Sequence, residues 1–275
     1  MDQIDRERLK EVLQFIRSHV PRAVLNSLEA ELAIIEQYIV NARAPRIALV
    51  GRRGSGKSSL VNAVFGEPLA ETGAVLSTTT AGTWYQYEGP NGSLEVLDTR
   101  GLGEGERPEG ATEEDAVAEN LKAVRDRCPD AILFLIKAAD VDVWINEDLE
   151  RVAALRGAIS RRHGFEPPVI GVLTQVDLLA PADVAEPPYD DPEKQANIAL
   201  AREKLAERMA RALDRPIRGF ATSAYMRYRD GELVVDRRWG IDELVTYLVE
   251  TLPGEAQLTM GRVAGVRQAQ TKIAA

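Results

Sequence analysis

The chain has 275 residues, of which 45% are hydrophobic and 28% charged, and its formal net charge is -9. That composition leaves enough apolar surface for a globular core, and the acidic balance argues against wholesale binding to DNA, RNA or anionic lipid. A single cysteine, Cys128, excludes an internal disulfide and reads as a reduced structural residue; with no signal peptide and no run of about 18 apolar residues, the expectation is a cytoplasmic chain that does not itself span a membrane.

The opening residues read as two amphipathic helices. Ile4, Leu9, Val12, Leu13, Phe15, Ile16 and Val20 recur at helical spacing, Pro21 interrupts, and Leu25, Leu28, Leu32, Ile35 and Ile39 continue the stripe. Such a pair is expected to bury its stripe against the rest of the chain. A dimerisation or membrane-proximal role is the alternative.

RIALVGRRGSGKSSL, Arg46 to Leu60, follows as an apolar strand, a glycine-rich turn and a helix start. Gly51 through Ser58 fits GxxxxGK[ST]. Gly54 and Gly56 let the backbone wrap until its N–H groups point inward at a phosphate, with Ser55 and Ser59 in the same cradle. Lys57 reaches the β- and γ-phosphates, Ser58 offers a hydroxyl to Mg²⁺, and the helix opening near Lys57 adds its positive end. A glycine turn with a surface lysine would need neither the spacing nor the flanking strand and helix.

The helix carries Leu60, Val61, Val64 and Phe65 and yields at Gly66 to a threonine-rich loop. In GTP-binding proteins a threonine of this loop coordinates Mg²⁺ and senses the γ-phosphate. Thr78, Thr79 and Thr80 all qualify, and Thr79 is the choice. TWYQYEG and SLEVLD then read as a hairpin about Pro90-Asn91-Gly92, ending in Asp98-Thr99-Arg100-Gly101. This DxxG places Asp98 to hold the magnesium's water shell and Gly101 to meet the γ-phosphate through its N–H. The glycine-rich acidic stretch after it is expected to form a second switch before a helix around Glu113 to Arg127.

AILFLIKAAD has the continuous apolar run of a parallel strand covered on both faces. A helix with Leu149, Val152, Leu155 and Ile159 comes next, then a strand ending in Thr174-Gln175-Val176-Asp177. GTP-binding proteins carry [NT]KxD here, its aspartate accepting from N1 and N2 of guanine; adenine would leave that carboxylate unsatisfied. Thr174 stands in for asparagine, whereas Gln175 keeps an alkyl stem and loses the usual lysine's charge. Pro181 to Pro192 reads as an exposed insertion, too stiff and polar for core. A long helix is expected to run to about Leu213 and PIRGFATSAYMRY to supply the last strand, and Ser223-Ala224 stands where, in GTP-binding proteins with an SA[KL]-type loop, a backbone N–H would contact guanine O6. A small hairpin about Asp230-Gly231 and a helix from Ile241 to Leu252 close the domain.

In that order the motifs GRRGSGKS, DTRG, TQVD and TSA resemble the translation-factor-like class of P-loop GTPases, in its Era-like branch, with a further likeness to immunity-related GTPases. The resemblance covers about Ala44 to Leu252. It implies an α/β fold, a three-layer GTPase domain on a mostly parallel central sheet over residues 44–252, preceded by a helical pair at 1–43 and followed by a helical tail at 253–275. It implies guanine nucleotide, GTP or GDP, with Mg²⁺ held by Ser58, Thr79 and Asp98.

Ras-type members place a glutamine after the DxxG glycine to orient water; Leu102 stands here and cannot, so slow hydrolysis is expected. Potassium-using members carry asparagine where this chain has Gly54, which argues against that route. Arg53 is the candidate for a cation supplied in cis over the γ-phosphate, alongside Lys57, Thr79 and Gly101 as catalytic residues. Three readings compete: a GTP-hydrolysing molecular switch, a GTP-binding scaffold at a membrane or complex with little turnover, and an ATP-dependent enzyme, against which Asp177 and Ser223-Ala224 argue. A homodimer through the nucleotide face or flanking helices is open, and membrane association would come through a partner or a further C-terminal part.

Overall fold

The structure, a computed structural model, describes residues 3–69, 83–89, 92–99, 121–143 and 145–262. Short apolar runs alternate with amphipathic stretches, and the runs assemble into a six-stranded sheet. In chain order the elements are α1 (Gln3–His19), α2 (Arg22–Asn41), β1 (Arg46–Val50), α3 (Lys57–Phe65), β2 (Thr83–Gly89), β3 (Gly92–Asp98) and β4 (Ala131–Lys137). After these come α4 (Ile145–His163), β5 (Val169–Thr174), α5 (Pro192–Leu213), β6 (Gly219–Ala221), β7 (Met226–Arg229), β8 (Glu232–Asp236) and α6 (Ile241–Thr251). Residues 254–262 form a last helical segment, and 121–126 are helical before β4.

The sheet order is β2-β3-β1-β4-β5-β6, with β2 antiparallel to β3 and every other pairing parallel. β4 and β5 are buried along almost their whole length, as a parallel strand covered by helices on both faces must be. The pleat sorts the side chains of β4. Ile132, Phe134 and Ile136 enter one apolar cluster with Val152 and Ile159 of α4 and Leu205 and Met209 of α5. Leu133 and Leu135 enter the other, with Leu60 of α3 and Leu244 and Leu248 of α6. The result is the three-layer α/β arrangement expected from the motifs.

Leu13 of α1 and Leu32 of α2 bury against each other with Ile16, Leu25 and Leu258 of the last helical segment. The connector to β1 is fixed by charge. Arg43 donates to both carboxylate oxygens of the buried Asp130 at 2.7 Å, and its amide donates to Glu255 O at 3.0 Å. Cys128 is half-buried, and burial, with Asp130 nearby, pushes its thiol pKa up, which disfavours the reactive thiolate.

Three expectations need correction. The stripe of α1 and α2 is only partly buried, since Val12, Phe15 and Leu28 are exposed. The segment Pro181 to Pro192 is not wholly exposed, because Tyr189 is buried in the core and meets Trp239 edge to face with ring centroids 5.3 Å apart. Asp191 next to it caps α5, its Oδ1 accepting from the Lys194 amide at 2.8 Å. The last expected strand is also interrupted. β6 ends at Ala221 because Ser223 turns to pair antiparallel with Trp239, so that Met226 onward belongs to the separate β7–β8 hairpin. The hairpin turn is as expected, with Asp230 and Gly231 both at positive φ, 52° and 84°.

Candidate nucleotide site

β1 delivers the phosphate loop to the carboxyl edge of the sheet, where open α/β sheets bind their ligands. Only glycine fits at position 51: an added Cβ would stand 2.4 Å from Leu135 O and 2.6 Å from Ser55 Oγ. Gly54 and Gly56 take positive φ, 76° and 88°, and Gly56 is the residue from which α3 starts. Lys57 turns back over the loop, its ammonium donating to Gly51 O at 2.7 Å and Arg52 O at 3.3 Å. Ser58 and Ser59 are half-buried in the first turn of α3. The Ser55 hydroxyl is buried and has no hydrogen-bond partner among the described residues. A loop tightened by glycine, an orphaned buried hydroxyl, a helix N-terminus and a lysine at its centre fit a phosphate chain with its divalent cation.

Asp98 ends β3 directly beside Leu49 of β1, which sets its half-buried carboxylate next to the loop. Its neighbour Thr99 is fully buried and fastens this corner, the hydroxyl donating to Leu49 O at 2.9 Å. Thr79, Gly101 and Leu102, with Thr78 and Thr80, lie outside the described residues. The two loop arginines part company. Arg52 donates through Nε to Asp148 Oδ2 at 2.8 Å, tying the loop to α4, whereas Arg53 is exposed.

At the other end, TQVD is bound onto the same loop. Thr174 Oγ1 donates to Ser55 O at 2.8 Å, and Gln175, held at positive φ of 58°, donates through Nε2 to Gly54 O at 2.9 Å. Asp177 is buried, and its turn is supported by Val176 N donating to Thr222 O at 3.3 Å. Beneath it sits Lys194, fully buried at the start of α5, with Nζ donating to Asp177 O at 2.8 Å and Leu179 O at 2.5 Å. Burial lowers the Lys194 pKa, and the charge of Asp177 opposes that effect. Ser223 is buried beside this turn. Its amide donates to Trp239 O at 3.0 Å and so is already engaged, while Ala224 follows half-buried. Tyr189 closes the wall, its phenol pushed up to about 12 by burial, with the Ser223 hydroxyl acting in the opposite direction.

The motif reading missed Asp148, Lys194 and Tyr189. Two of them left a sequence signal. Lys194 stands at helical spacing from Ile198, Ala201, Leu205 and Met209, a lysine in phase with an apolar stripe, and Asp148 falls in the stripe of Ile145, Leu149 and Val152. A charge in such a position has to be paired once buried.

Comparison with known proteins agrees with this layout. The family described as 50S ribosome-binding GTPase matches residues 46–174. A GTPase Der of Rhodopseudomonas palustris is 31% identical over 119 residues, 43% of this chain and 26% of that protein. One of Desulfitobacterium hafniense is 38% identical over 95 residues, 34% of this chain and 21% of that protein. The chain thus spans roughly a quarter of the length of these curated relatives. Among solved structures, a dimerization-deficient Toc33 mutant from Arabidopsis thaliana superposes with a TM-score of 0.52 at 15% identity, covering 90% of this chain and 95% of that one. LeoA, a bacterial dynamin GTPase from ETEC, gives 0.53 at 16% identity over 98% of this chain and 47% of its own. At those identities the likeness is one of fold.

Proposed function

We propose, from the premise that residues 46–174 are an Era-like P-loop GTPase domain, that this chain binds GTP with Mg²⁺ and hydrolyses it slowly to GDP and phosphate, as a molecular switch. The observation that carries the reading is the tie between the two ends of the site. Thr174 and Gln175 are hydrogen-bonded to Ser55 O and Gly54 O at 2.8 and 2.9 Å, so a base held by Asp177 belongs to the nucleotide whose phosphates the loop holds.

In this reading Gly51, Gly54, Ser55, Gly56 and Ser59 cradle the phosphates through the backbone, and Lys57 leaves the carbonyls of its own loop for the β- and γ-phosphate oxygens. Ser58 and Asp98, with Thr79, would hold the Mg²⁺, which neutralises charge on the β- and γ-phosphates. Asp177 selects guanine. Because the Ser223 amide is engaged by Trp239, Ala224 is the better candidate for the contact with O6. Arg53, exposed on the loop, is the transition-state cation of this scheme, and Gly101 its γ-phosphate sensor. A cytoplasmic location and turnover raised by self-association belong to the same proposal. Specific activity that rises with protein concentration is its signature, and dimerization is named as important for the GTPase activity of the chloroplast translocon component atToc33.

Calorimetry of GTP and ATP binding with Mg²⁺, on the wild type and on Asp177→Asn, tests the assignment. The wild type is expected to take GTP and reject ATP, and the variant to lose roughly 10- to 100-fold of that preference. Equal binding of ATP by the wild type would mean that TQVD does not read the base.

A further inference from the structure

β4 emerges from the core at Lys137, whose register partner across the sheet is Thr174 of the TQVD turn. Its ammonium arrives at the phosphate loop: a Cβ placed on Gly54 would stand 3.6 Å from Lys137 Nζ and 3.7 Å from its Cε. Gln175 reaches the same glycine from the next strand and occupies its carbonyl. Two side chains from adjacent strands therefore converge on Gly54, one neutral and one cationic.

The other basic residues of this region already have partners. Arg52 is paired with Asp148, Lys57 with two carbonyls of its own loop, and Lys194 with two backbone carbonyls. Among the described residues no carboxylate lies within ion-pair distance of Lys137, in a chain of net charge -9. A half-buried lysine at the carboxyl edge of a sheet, aimed at a phosphate loop, has an anion as its natural partner.

We propose that Lys137 is a nucleotide-binding residue that supplies, from β4, the positive charge that Gln175 lacks. The usual lysine of the base-recognition motif performs two tasks, fastening the turn to the phosphate loop and placing a positive charge over the nucleotide. Here the tasks are divided. Gln175 makes the fastening hydrogen bond, and Lys137 acts on the phosphate charge shared by GDP and GTP. The inference rests on the guanine-nucleotide reading of the site.

The test is titration of GDP and GTP with Mg²⁺ at two salt concentrations, on the wild type, Lys137→Met, Lys137→Arg and the double variant Lys137→Met/Gln175→Lys. Lys137→Met is expected to weaken both nucleotides about tenfold and to reduce the salt dependence of binding. Lys137→Arg is expected to bind within about threefold of wild type, because it keeps the charge. The double variant, with lysine returned to the usual position, is expected to recover most of the loss. Unchanged affinity of Lys137→Met overturns the proposal, including the case in which only turnover falls. Weakened binding that Gln175→Lys does not restore overturns the division of tasks. A wild type that binds neither nucleotide removes the underlying reading instead, and thermal midpoints of all four proteins separate these outcomes from misfolding.

Discussion

The two ends of the proposed nucleotide site are built in different ways. The phosphate end is centred on eight consecutive residues, Gly51 to Ser58, whose turn is closed by short-range bonds such as Ser55 N to Arg52 O at 3.1 Å and Lys57 Nζ to Gly51 O at 2.7 Å, with outside ties from Asp148, Thr174 and Gln175. The base end draws on Thr174 to Asp177, Tyr189, Lys194, Ser223 and Trp239, joined across the sheet by Val176 N to Thr222 O and by the Ser223–Trp239 bridge. A local end depends on a few chemically irreplaceable residues. A distributed end depends on the packing that holds one carboxylate in place, and more of its residues act through others.

The contrast is sharpest at Lys57. Lys57→Ala is expected to weaken GTP and GDP by roughly 100-fold or more, since it removes several charge-assisted bonds at once, while leaving folding stability nearly unchanged. Calorimetry beside chemical denaturation checks both halves. Comparable losses of affinity and stability would mean that the phosphate end is not self-supporting.

Lys194→Met is expected to behave differently. It leaves the Asp177 and Leu179 carbonyls without their buried donor, at a cost of about 2 kcal/mol in stability, and lowers the preference for GTP over ATP severalfold. A variant with unaltered base preference would break the claim that the base end acts through its supports.

The smallest effect is expected at Tyr189. Burial raises its phenol from the ordinary 10.0 to about 12, so the folded state holds this proton more tightly than the unfolded state. The stability that follows is fully present below about pH 10 and is lost as pH rises through about 12. Tyr189→Phe should change stability at pH 7 by less than about 1 kcal/mol and flatten the alkaline decline. Unfolding midpoints of both proteins between pH 8 and roughly pH 12 measure the difference.

Legibility followed the same division. The glycine spacing of the phosphate loop, the apolar run of β4 and the period of α4 and α5 are local patterns, and each appears in the structure where the chain predicts it. The polar look of Pro181 to Pro192 concealed Tyr189, because average composition says nothing about one aromatic side chain that a distant Trp239 is waiting to cover. The partner of Arg52 was equally hidden. Acidic residues closer in sequence were open to it, yet it is Asp148 on α4, 96 residues away, that the fold brings within 2.8 Å.

By itself the sequence determined the order of most strands and helices and the glycine spacing of the phosphate loop, since these depend on backbone sterics and on periodicity along a few residues. Only the tertiary structure decided that Lys137 and Gln175 meet at Gly54, that the Ser223 amide belongs to Trp239, and that a buried Lys194 carries the turn of Asp177. Those relations depend on which strands lie side by side and which helix covers them, and that is settled by burying apolar faces across the whole domain.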